Sequence, residues 1–109
     1  MIEGKDYTIS DDNIFANDGR PDPEERMMRA QLLYYIATEI KRRKLSQRQA
    51  ADLLGVPQPH ISLLLQAKLS NFSLERLLQM TTRLGVDLAI SGQLTDEQGH
   101  ITLNLPQFA

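Results

Sequence analysis

Between Asp22 and Lys44 the apolar residues Met28, Leu32, Leu33, Ile36, Ala37 and Ile40 recur at intervals of three and four, the spacing of one face of an α-helix. Asp22 is a suitable N-cap, Pro23 fits the first turn, and Glu24 and Glu25 stand at the positive end of the helix dipole. The pattern predicts a helix from there to about Lys44. Met27, Tyr34 and Tyr35 fall at the edges of its stripe or outside it, either as snorkelling surface residues or as a face for a partner.

Two short helical patterns follow. Ser46 is a good N-cap and Gln49, three residues on, completes a capping box, while Leu45 can staple against Ala50. Ala50, Ala51, Leu53 and Leu54 make a brief apolar stripe, and the two alanines are small enough to let a second helix axis come close. Gly55 enters a left-handed conformation at little cost, so this helix is expected over about Gln47 to Leu54. Val56 returns to the core, and Pro57 and Pro59 stand in the first turn of the next helix, where their missing N–H groups are not needed. That helix is expected from Gln58 to about Ala67. It buries Ile61, Leu64 and Leu65 and leaves Gln58, His60, Ser62, Leu63 and Gln66 to the other side. Ser73 then caps a last helix, Leu74 to Leu84, ended by Gly85, with Leu77, Leu78, Met80, Thr81 and Leu84 for packing.

After Gly85 the period changes to two. Val86, Leu88 and Ile90 alternate with Asp87, Ala89 and Ser91, and beyond a turn-rich Gly92–Gly99 stretch Ile101, Leu103 and Leu105 alternate with Thr102 and Asn104. This alternation predicts a C-terminal β-hairpin over 86–109. A lone hairpin is marginal in water, so it is expected to pair with a second copy as a dimerisation element, the alternative being a monomer with its hairpin folded back over its own core. The fold class expected is thus mainly α, with four to five helices and a C-terminal β-hairpin. Residues 23–85 form the helical domain, and residues 1–22 form an acidic segment with isolated apolar points at Tyr7, Ile9, Ile14 and Phe15 that is not expected to fold alone.

The 109 residues suit one domain, and the absence of cysteine excludes disulfides, thiolate metal sites and cysteine nucleophiles. No signal-peptide or membrane-spanning pattern stands out, which makes the cytoplasm the expected location. His60 and His100 are far apart in sequence, and neither a metal-ligand spacing nor a glycine-rich phosphate loop is present, so no enzyme, cofactor or metal is expected. The net charge of −2 hides an asymmetry. Residues 1–25 hold eight acids and two bases, a net of −6, whereas residues 26–84 hold ten bases and three acids, a net of +7. Lys41, Arg42, Arg43 and Lys44 precede the two short helices, and Arg48 and Lys68 flank the second, so a cationic face suited to phosphates can surround it.

Two short helices joined by a tight turn in a basic domain read as a helix-turn-helix. Residues 31–85 resemble the lambda-repressor-like helical domain of the Xre/Cro family of repressors, through Gln47, Ala51, Gly55, Val56, Ile61 and Ser62. Asn13-Ile14-Phe15-Ala16, Pro21-Asp22-Pro23-Glu24-Glu25-Arg26, Pro57 to Ser62 and Phe72 to Leu78 are similar to HigA-type antitoxins of toxin-antitoxin modules. The resemblance implies a transcriptional repressor that binds operator DNA as a homodimer, with an RNase-type toxin as a second partner. Pro59 and Leu63 replace residues that are polar in many relatives, so fewer base-edge hydrogen bonds are available than that pattern suggests.

In a major groove, Gln58 can pair with adenine through N6 and N7, Ser62 and His60 can make single contacts, and Leu63 can touch a thymine methyl. Gln66 lies far along the helix, and both it and His60 are equally readable as plain surface residues. The resemblance implies that Gln47 and its backbone N–H clamp a phosphate, aided by Arg48, Lys68 and Arg43 or Lys44. Two alternatives stand beside this reading: a protein-interaction module whose acidic end masks a basic toxin, and a free-standing repressor of phage type without a toxin.

Overall fold

A computed structural model of the chain describes residues 22–107. The acidic segment expected over 1–22, with its apolar points, lies outside these residues apart from Asp22. Four helices follow in order: α1 (Pro23–Arg42), α2 (Gln47–Leu54), α3 (Gln58–Leu65) and, after a 3-10 turn at Leu69–Asn71, α4 (Leu74–Arg83).

Local chemistry sets each boundary. Asp22 accepts from Glu24 N at 3.0 Å to open α1. Ser46 and Gln49 make both bonds of the capping box on α2 at 3.0 and 2.8 Å, and Ser73 accepts from Arg76 N at 3.2 Å on α4. Gly55, at φ +70°, ends α2 with its N–H on Ala51 O at 2.9 Å. Two helices stop without a glycine: Lys44 after α1 and Ala67 after α3 take φ +56° and +60°. The left-handed turn costs a non-glycine residue about 1 kcal/mol, and it shortens α3 to Leu65 where the apolar period alone suggested Ala67.

Leu32, Ile36, Ile40, Ala50, Leu54, Ile61, Leu64, Phe72, Leu77, Met80 and Leu84 form one core. Tyr35 also belongs to this core, whereas Met27 and Tyr34 remain exposed. Polar ties fix the ends of α1. Arg29 donates to Leu69 O and Phe72 O at 3.2 and 3.3 Å, holding the 3-10 turn. Glu39, 3% exposed, accepts from Arg42 and Arg43, and Arg43 also donates to Leu84 O at 2.8 Å, joining α1 to the end of α4. These bonds hold the Glu39 carboxyl below the usual carboxylate range, the Arg42 bond contributing most and burial opposing it.

The C-terminal β-hairpin expected over 86–109 does not form: residues 86–107 contain no strand. The period-two alternation encodes an extended backbone with one apolar side, and that requirement is met against the helices without a ladder. Val86, Leu103 and Leu105 pack on the core, while Ile90 and Leu94 between them are 98% and 97% exposed. Glu24 holds the returning arm by accepting from Ile101 N at 3.0 Å, with His100 Nδ1 3.5 Å from the same carboxylate. The tail therefore returns to its own helices as a strap without strands.

Candidate nucleic-acid interface

The turn between α2 and α3 is built to hold two helix axes together. Ala50 and Ala51 are buried at the contact, and Gly55 and Val56 both donate to Ala51 O, at 2.9 and 3.1 Å. Arg83 of α4 lies over Gly55, where a Cβ would run into its guanidinium. Pro57 is the N-cap residue of α3 and Pro59 its second residue, so a preset backbone starts this helix without a side-chain cap.

Ile61 and Leu64 of α3 are fully buried, which fixes the helix rotation. The fourfold spacing of Gln58, Ser62 and Gln66 then puts these three in one row on the outer side. Gln58 and Gln66 are exposed and Ser62 is half-buried, with Gln66 Nε2 donating to Ser62 Oγ at 3.1 Å. Leu63 is half-buried and packs partly on the core. His60 is half-buried, and Arg76 of α4 meets its Nδ1.

The expected phosphate-binding residues divide into two groups. Gln47 and Arg48, the first two residues of α2, are exposed, as are Lys44 before it and Lys68 after α3. Arg43 is instead committed to Glu39 and Leu84 O, so it serves the join between α1 and α4. Part of the +7 of residues 26–84 is spent in this way, Arg42 on Glu39 and Arg29 on Glu25 as well. Sequence reading missed Arg76 and Arg83, the α4 residues that touch the two-helix unit. Arg76 carried a legible signal: a cation in the first turn of a helix opposes the dipole and calls for another reason to be there.

An exposed row of this kind can follow base edges while exposed cations of the same domain, Lys44, Arg48 and Lys68, engage phosphates. Among the described residues no group of three or more His, Asp or Glu side chains is placed to hold a metal, and no helix is long and apolar enough to cross a membrane.

A family model described as a helix-turn-helix domain matches residues 14–92. A solved structure provisionally described as an XRE family transcriptional regulator is similar to this chain at 35% identity and a TM-score of 0.71, over 79% of this chain and 100% of that one. Among curated proteins none matches the sequence significantly.

Proposed function

Because the chain belongs to the helix-turn-helix domain family and is an Xre-type DNA-binding regulator, we propose that it is a repressor that reads operator DNA with α3, two copies occupying two half-sites. The single observation that carries this is the outer row Gln58, Ser62 and Gln66, held by the buried Ile61 and Leu64 and flanked by exposed Arg48 and Lys68. Gln58, nearest the N-terminal end of α3, is placed for a bidentate bond to adenine, and Ser62 for one hydrogen bond. Gln47 and Arg48 at the start of α2, with Lys44 and Lys68, engage phosphates. One α3 reads only a few base pairs, so two copies with half-sites about 34 Å apart supply the remaining affinity and specificity. The mechanism is binding without chemistry.

The experiment is selection from a randomised duplex pool followed by titration. The Gln58→Ala/Ser62→Ala double variant is expected to lose sequence preference and keep nonspecific binding. Arg48→Ala should weaken every sequence alike and reduce the slope of log K against log salt by about one. Equal preference in wild type and double variant would refute base reading by this row. Light scattering of the full chain tests the pairing of copies, and a monomer on operator-length DNA would remove it.

A second reading, neutralisation of a basic toxin, is favoured by the −6 of residues 1–25 and by Met27 and Tyr34, exposed on one side of α1. It predicts that a small basic protein encoded beside this chain co-purifies with it and is lost when residues 1–20 are removed.

A further inference from the structure

His60 and Arg76 are each the third residue of a helix, α3 and α4, and they meet across the angle between the two. Arg76 is held from below: its guanidinium carbon lies 5.6 Å from the ring centroid of the buried Phe72, and its backbone N–H is on the Ser73 cap. A guanidinium has five N–H donors and no acceptor, so at the contact Arg76 Nη2 donates and His60 Nδ1 accepts. A neutral imidazole with a lone pair on Nδ1 carries its proton on Nε2.

We propose that Arg76 is a positioning residue that locks His60 in the Nε2–H form, making it a donor-only reader at the entrance of α3. The proposal rests on the DNA-reading role given above and adds a selectivity to it. A free neutral imidazole exchanges tautomers, so Nε2 can donate to one base and accept from another. Locked by Arg76, Nε2 can only donate. It then suits purine N7, guanine O6 or thymine O4 and is unmatched by the amino groups of cytosine N4 and adenine N6. Arg76 therefore acts on sequence through a ring it orients, and the dipole cost of a cation in that first turn is offset by the His60 and Phe72 contacts.

The chain has two histidines, His60 and His100, so ring nitrogen spectra of the full-length protein resolve both. His60 is expected in the Nε2–H form in wild type. Arg76→Met, which keeps the stem over Phe72 but removes the donors, should shift it to a tautomer mixture and leave His100 unchanged. In selection from a randomised duplex pool, wild type should enrich an acceptor edge at one position. Arg76→Met should weaken that preference about tenfold, the scale of one base-edge hydrogen bond, with the other positions and the salt slope kept. His60→Ala should produce the same loss, with no further loss in the double variant. An Nδ1–H form of His60 in wild type overturns the proposal. So does an Arg76→Met variant whose base preference is intact and whose salt slope falls by about one, since Arg76 would then be a phosphate contact. If wild type enriches no sequence, the DNA reading falls as well, whereas unchanged preference in the variants removes only the role of Arg76.

Discussion

Gly55 is required by its backbone more than by the space around it. Its φ of +70° is strained for any L side chain, while the Arg83 guanidinium above it is the mobile end of a long chain. Gly55→Ala is expected to cost about 1–2 kcal/mol in urea unfolding, and most of that cost should persist in an Arg83→Ala background. Ala67 has the opposite fault, a Cβ at φ +60°, so Ala67→Gly should raise the unfolding free energy in urea by about 0.5–1 kcal/mol. Glu39 supplies a pH dependence. Its folded carboxyl is held below the usual carboxylate range, so its stabilisation is present above the unfolded pKa and is lost as pH falls through the folded one. Glu39→Gln should be less stable than wild type at neutral pH, and the gap should close in acid. The sequence showed Gly55 as a helix stop, and its φ agrees. It showed Arg43 only as one of four consecutive cations, because linear order does not reveal that Glu39 and Leu84 O lie within its reach.

At the scale of elements, caps and period carried the reading. The Ser46/Gln49 box and the prolines at 57 and 59 fixed the starts of α2 and α3 to the residue, since those signals act within one turn of chain. Ser46→Ala is expected to lower stability by about 1 kcal/mol in thermal unfolding, with the outer row of α3 unaltered. Period two failed at the C-terminus for a physical reason: it specifies a backbone shape and a face, and whether two such stretches pair depends on surfaces elsewhere in the molecule. The core offered Val86, Leu103 and Leu105 a place to pack, while Ile90 and Ile101 of the same alternation stay exposed. The Arg76–His60 contact was illegible on similar grounds, as it joins residues on two helices whose crossing is set by the core between them.

At the scale of the whole molecule, most of the residues proposed to meet DNA stand apart from those that hold the helices together. The core and the Glu39 junction hold the helices, while Gln58, Arg48 and Lys68 take part in neither. The strap belongs to the first set, through half-buried leucines and one bond to Glu24. Removing residues 100–109 should therefore lower the unfolding free energy measured in urea by about 1–2 kcal/mol, for loss of the partial burial of Leu103 and Leu105. The strap also bears on how long a molecule lasts. A protease accepts substrate as an open chain, and residues 87–100 lie outside any helix or strand and are mostly exposed. The first cut in limited digestion should fall there with the helices intact, so the lifetime of the protein follows access to this stretch and not the unfolding equilibrium of its core.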